Sequence, residues 1–218
     1  MIKGAIFDMD GVLVDNIRIH IKAFEEMCRI YNVPFDAVRL NNMAGRGNDE
    51  IIPAFFPEAI VKEKGVAALS AEKEAVYRKL YTNEIEEVAG LTSFLAALKA
   101  SGVRCAVGSS GCQENIDFVL DSCKLRPYFD VIVSSDLVTH CKPDPEIYLT
   151  ALRKLDLPAE SCVVFEDAPA GIEAARRAGI EVIALATTHT AEELQKKGIK
   201  EMIINDFRNL SPACFNKR

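Results

Sequence analysis

Short β-branched runs, each ending on an acidic, hydroxyl or small residue, alternate with amphipathic stretches along most of this chain. The runs are Lys3 to Phe7 into Asp8, Val103 to Val107 into Gly108-Ser109, Val131 to Val133 into Ser134-Ser135-Asp136, and Cys162 to Phe165 into Glu166-Asp167. Glu181 to Leu185 and Met202 to Ile204 complete the set. Short apolar runs bounded by turn chemistry read as buried strands. Between them, Leu91, Phe94, Leu95 and Leu98 share a helix face that stops at Gly102. Ile116, Val119, Leu120 and Cys123 repeat the spacing, as do Ile147, Tyr148, Ala151, Leu152 and Leu155. Strand–helix alternation predicts an α/β fold: a Rossmann-like parallel sheet whose right-handed crossovers put helices on both faces.

Residues 16–87 break the rhythm. Ile17, Ile21, Phe24, Cys28 and Tyr31 step at helical spacing, and Pro34, Pro53 and Pro57 interrupt the chain beyond them. No strand pattern is visible. The segment reads as an all-helical insert, which leaves 1–15 and 88–218 as the sheet core. The mixed charges from Ala71 to Tyr81 read as a solvated helix face. Asp15 or Asn16 reads as the cap of the first helix, and Asp144, in Pro143-Asp144-Pro145, as a turn or cap residue.

Composition removes several functions. Across 218 residues, 26 basic side chains against 32 acidic ones leave a net charge of −6 with no long basic run, which argues against a nucleic-acid partner. No apolar stretch reaches about 18 residues, so no membrane span is expected. The apolar start before Asp8 is too short for a signal peptide, which favours a cytoplasmic protein. Seven scattered cysteines with no C-x-x-C pair indicate neither a disulfide framework nor a zinc site, and most read as core side chains. His20, His140 and His189 form no ligand-spaced pair.

The chemistry gathers at the carboxyl ends of the strands, the edge where open parallel sheets bind ligands. Asp8 and Asp10, Ser109 and Ser110, and Glu166 and Asp167 all fall there, with Lys142 in a loop just before a helix. A lone acid in a loop is more often a turn former, but turns do not place acids at several strand ends at once. Asp8, Asp10 and Asp167 would repel one another in a shared pocket unless a cation lay between them. Oxygen-only ligands suit Mg2+. Ser109 and Lys142 could hold a phosphoryl group. Neither a G-x-S-x-G elbow nor a G-x-x-x-x-G-K-[ST] loop is present.

Four segments, in order, resemble the motifs of the haloacid dehalogenase superfamily. They are Phe7-Asp8-Met9-Asp10-Gly11-Val12-Leu13-Val14-Asp15, Gly108-Ser109-Ser110, Lys142-Pro143-Asp144-Pro145 and Phe165-Glu166-Asp167-Ala168. The insert is similar to that superfamily's helical cap, and the nearest subgroup is the phosphatases and β-phosphoglucomutase relatives. The resemblance implies that Asp8 attacks phosphorus and that Asp10 serves as acid and then base. It implies Mg2+ held by Asp8, the main-chain carbonyl of Asp10 and Asp167, with Glu166 in or near that set. It implies Ser109, Ser110 and Lys142 on the phosphate. The second Asp favours phosphoryl chemistry over dehalogenation.

His20, Arg46 and Asn48, the last two in the segment Ala44-Gly45-Arg46-Gly47-Asn48, are the cap residues expected to read the substrate. The leading expectation is a Mg2+-dependent phosphatase that hydrolyses a small phosphorylated metabolite, a sugar phosphate, through an aspartyl-phosphate, with no protein partner. The alternative is a β-phosphoglucomutase, and a non-catalytic binding module is third. Relative to the mutase pattern, Asn48 stands near an expected arginine and Cys112 near an expected lysine.

Overall fold

In a computed structural model that describes residues 2–43 and 46–215, all six β-rich runs are strands. They are β1 (Gly4–Phe7), β2 (Arg104–Gly108), β3 (Val131–Val133), β4 (Cys162–Glu166), β5 (Glu181–Leu185) and β6 (Met202–Ile204). All pair in parallel, in the order β3-β2-β1-β4-β5-β6. The chain runs outward from β1 to β3, then resumes with β4 on the other side of β1. The carboxyl ends of β1 and β4 therefore flank the point where the winding direction reverses, the crevice such sheets use for ligands.

Both sheet faces are buried, which explains runs that are apolar throughout rather than alternating. Ala5, Phe7, Val163 and Phe165 face one layer, with α6 (Leu91–Ala100) and α7 (Gln113–Ser122) packed on it. Phe7 stacks on Phe165 at 4.6 Å between ring centroids. Ile6, Ala106 and Val164 face the other layer, under α8 (Glu146–Leu155) and α9 (Pro169–Arg177). Strand parity then carries Asp8, two residues after Ile6, and Glu166, two after Val164, to the α8 side.

Among the described residues, five helices lie between β1 and α6: α1 (Ile17–Ile30), α2 (Ala37–Asn41), α3 (Asn48–Phe55), α4 (Glu58–Lys64) and α5 (Val66–Tyr81). They enclose a separate core built on Phe24, Met27, Ile52, Phe55 and Leu69. The chain leaves and re-enters the sheet region side by side, with the Val88 amide on the Leu13 carbonyl at 2.9 Å and Val14 bridged to Glu87. Helix α10 (Ala191–Lys196) follows β5 behind a capping box of Thr190 and Glu193.

Three expectations change. Asn16 occupies the N-cap position of α1 but makes no capping bond; its side chain turns inward instead. The Ala71–Tyr81 stretch is solvated on one side only: Glu72 and Lys79 are exposed, but Lys73 and Glu74 are buried. Leu69, Lys73, Tyr77 and Tyr81 step by four along one buried stripe of α5, with Glu74 beside it. Of the seven cysteines, only Cys28, Cys105 and Cys162 are buried, and none forms a disulfide. Among the described residues no helix is long and apolar enough to cross a membrane.

Candidate active site

A cavity of about 90 Å3, partly open to solvent, separates the carboxyl ends of the strands from the five-helix insert. Asp8, Asp10, Ser109 and Asp167 line its core side, and His20 and Lys73 its opposite wall.

The core side is a knot of buried charge. Lys142 is fully buried, with its ammonium 2.6 Å from Glu166 Oε1 and 3.0 Å from Asp8 Oδ1. Glu166 Oε1 also accepts from the Tyr148 hydroxyl at 3.0 Å, and Oε2 accepts from the amides of Asp167 at 2.8 Å and Ala168 at 2.9 Å. Four donors thus hold one carboxylate. The close approach of α9 makes room for it: a Cβ on Gly171 would lie 1.6 Å from Glu166 Oε1. Asp8 Oδ1 is ion-paired but not squarely hydrogen-bonded, and it is buried. Gly11, at φ +75°, turns the chain after β1, and a Cβ there would lie 2.0 Å from Asp167 Oδ2.

Burial pushes Asp8 up to about 7, with Glu166 and Asp10 adding to it and Lys142 opposing. Burial, then Glu166 and Asp8, hold Asp167 well above the usual carboxylate range. Burial would lower Lys142, but Asp8 and Glu166 outweigh it and keep the ammonium charged. Asp8, Glu166 and Asp167 present oxygens within 4.8 Å of one another. Three buried carboxylates against one lysine make an electrostatically unfinished, oxygen-only cluster that suits a hard divalent cation. Asp8 and Asp167 have more oxygen capacity to spare than Glu166, which the protein already saturates.

Asp10 points the other way. Its Oδ1 accepts from Asn16 Nδ2 at 2.5 Å and sits 3.3 Å from His20 Nε2. Burial would raise its pKa, but His20, Asn16 and Lys73 together bring it below the ordinary range. Asn16 also donates to the Tyr77 hydroxyl at 2.6 Å, and His20 stacks on Tyr77 with centroids 4.0 Å apart.

On the insert side, the Lys73 ammonium lies 2.7 Å from His20 Nδ1 and 2.9 Å from Glu74 Oε1. Asn48 lines the cavity, but its amide is committed to Glu74 Oε1 at 2.7 Å and Ser70 Oγ at 2.8 Å. Arg46 also lines the cavity, is exposed and pairs with Glu50. Ala44 and Gly45 of that segment lie outside the described residues.

Ser109 is buried at the end of β2, its hydroxyl accepting from the Gly111 amide at 3.0 Å, and Ser110 lines the cavity. Asp144 is a turn residue that accepts from the Glu146 amide at 2.9 Å. His140, Asp144 and Glu146 come within ligand range of one another. Both carboxylates there already serve main-chain amides, Glu146 taking those of Thr139 and His140.

Sequence reasoning missed Lys73, Glu74, Tyr77, Asn115, Tyr148 and the pair Thr187-Thr188. Thr187 holds the Gly11 carbonyl at 2.5 Å, and Thr188 supports Asp167. The threonines were findable by the strand-end rule, since they follow β5.

A family model for haloacid dehalogenase-like hydrolases matches residues 5–185. The chain belongs to that family. It is 33% identical to a phosphorylated carbohydrates phosphatase of Thermotoga maritima over 83% of each protein. It is 34% identical to a validoxylamine A 7'-phosphate phosphatase of Streptomyces hygroscopicus, covering 91% of this chain and 92% of that one. The crystal structure of a CbbY variant from Rhodobacter sphaeroides, in complex with xylulose-(1,5)bisphosphate, superposes with a TM-score of 0.85 at 28% identity, covering 98% of both chains. An inserted helical cap over a Rossmann-like core is the architecture this chain shares with it.

Proposed function

We propose that this hydrolase is a Mg2+-dependent phosphatase of a small phosphomonoester, a sugar phosphate, with residues 16–87 as its cap. The observation that carries the reading is the excess of buried carboxylate around Asp8, at the floor of a cavity that Ser109 borders and with Lys142 buried behind it. A nucleophile that attacks a phosphate dianion needs positive charge beside it. Lys142 supplies one unit, and Asp8 Oδ1, ion-paired to it but without a hydrogen bond, has with Asp167 the donor chemistry for more. Bound by Asp8, the Asp10 carbonyl and Asp167, Mg2+ would neutralise this cluster and draw charge from a phosphoryl oxygen.

In the first step an Asp8 oxygen bonds to phosphorus as the bond to the leaving oxygen breaks. Asp10 gives that oxygen a proton. In the second step water attacks the aspartyl-phosphate, Asp10 takes the water's proton, and Asp8 is released with phosphate. At rest His20 and Asn16 favour ionised Asp10, the base form of the second step. A phosphate dianion placed beside it raises its proton affinity for the first. Ser109, Ser110 and Lys142 hold the phosphoryl oxygens, and Glu166 holds Lys142 in place.

The mutase alternative shares this chemistry but must hold a second phosphate at the cap end. There the described cations that line the cavity are already paired, Lys73 with Glu74 and Arg46 with Glu50, and Asn48 is engaged by Glu74. That favours transfer to water. The names of the relatives support sugar phosphates as the class to try first. Phosphorus NMR with Mg2+, β-glucose 1-phosphate and a trace of glucose 1,6-bisphosphate, beside a panel of sugar phosphates, separates the two readings. Growth of inorganic phosphate is expected. Glucose 6-phosphate without free phosphate would make the protein a mutase.

A further inference from the structure

We propose that Asn115, on the core, is a positioning residue that seats the cap over the pocket, because Glu74 and Arg78 of α5 grip opposite ends of its side-chain amide. Asn115 lies in the first turn of α7, directly after the Ser109–Gly111 loop, and is 1% exposed. Its Nδ2 donates to Glu74 Oε2 at 2.6 Å, and its Oδ1 accepts from Arg78 Nη1 at 2.7 Å. Glu74 and Arg78 stand one turn apart on α5, so two cap side chains of opposite charge converge on one core residue.

The polarity of the amide matters. An aspartate would set a carboxylate against Glu74, and a leucine would bond to neither partner. Rings also meet between these helices: Tyr77 and Tyr81 each lie 6.4 Å from Phe118. Ring packing holds α5 against α7 but tolerates several ring geometries, whereas the two-ended amide needs one donor and one acceptor in fixed places. The grip also reaches the pocket. Glu74 Oε1, the oxygen not used by Asn115, accepts from Lys73 and Asn48, and Lys73 contacts His20 beside Asp10. Movement of Glu74 therefore shifts the cap groups that face the substrate.

A swap of acid and amide tests this independently of any substrate. Asn115→Asp opposes two carboxylates across the cap–core seam. Adding Glu74→Gln restores the polarity: the new amide keeps an oxygen for Lys73 and Asn48 and donates to the new carboxylate, which still accepts from Arg78. Hydrogen exchange read by mass spectrometry, on peptides covering Val66–Tyr81 and Gln113–Ser122, reports the seam, with circular dichroism confirming the fold.

Exchange on the order of tenfold faster is expected in Asn115→Asp, from loss of a charge-assisted bond, with return to within about threefold of wild type in the double variant. Unchanged exchange in Asn115→Asp, or a double variant as fast as the single, would overturn the proposal. If Asn115→Asp does not fold, Arg78→Met decides, because it removes one half of the grip at a half-buried site. Faster exchange at the same peptides supports the role, and wild-type exchange refutes it.

Discussion

The two walls of the pocket are built from the same parts in different proportion. Each has a buried lysine paired with a glutamate, Lys142 with Glu166 at 2.6 Å and Lys73 with Glu74 at 2.9 Å. Each lysine lies over a tyrosine ring, Tyr148 at 4.9 Å and Tyr77 at 5.8 Å from the centroid. On the core wall Asp8 and Asp167 crowd the pair, so negative charge is in excess and Asp8 and Asp167 are pushed up. On the cap wall amides complete the pair: Asn48 and Asn115 donate to Glu74, which is held down to about 2. An unbalanced cluster demands further positive charge and can do chemistry with it. A balanced one holds its shape and sets what fits.

The largest test of that contrast is Asp8→Asn, expected to lower phosphate release by on the order of 10^3-fold or more while leaving the melting curve near wild type. Near-normal turnover would remove Asp8 as nucleophile.

Lysine removal comes next. Lys142→Met strands Glu166 beside Asp8 and Asp167, and breaking such a buried pair costs about 3–5 kcal/mol in denaturant unfolding. Lys73→Met leaves Glu74 with its amide donors and should cost less, about 1–3 kcal/mol. The reverse order would mean that the cap pair is the more strained.

A smaller effect is set by pH. Burial would raise Glu74, but Lys73, His20 and the hydrogen bonds from Lys73 and Asn115 outweigh it. The folded chain therefore binds this proton less tightly than the unfolded chain does. Glu74 stabilises fully above its ordinary value of 4.5, and the contribution is lost as pH falls through that value toward about 2. The melting-temperature gap between wild type and Glu74→Gln should be constant above pH 5 and shrink below it. A gap that widens on acidification would reverse the sign.

The smallest expected change is in His20→Ala, which shifts the ranking of sugar phosphates by kcat/KM more than the rate on the best one. An equal proportional loss on every substrate would place His20 in the core chemistry instead.

The core wall was legible in the sequence because strand parity and the strand-end rule are local: six apolar runs give six strand ends, and Asp8, Ser109 and Glu166 fall on three of them. The cap wall was not. Lys73 and Glu74 sit in a stretch of mixed sign that reads as solvated, and only the four-residue step from Leu69 to Tyr81 marks the stripe as buried. Asn16 has the identity and place of a helix cap, yet its amide goes to Asp10 and Tyr77, a partner 61 residues away. Asn115 carries no local mark at all, since its role depends on how α5 crosses α7. Contacts between two separately packed layers are set by their docking, which no short window of sequence contains.

Calorimetric titration of Mg2+ into chelator-stripped protein tests the difference between the walls most directly, using wild type, Asp167→Asn and Glu74→Gln. One site per chain is expected in wild type and in Glu74→Gln, and none in Asp167→Asn. Binding retained in Asp167→Asn, or lost in Glu74→Gln alone, would contradict a cation site on the core wall and a charge-balanced cap wall.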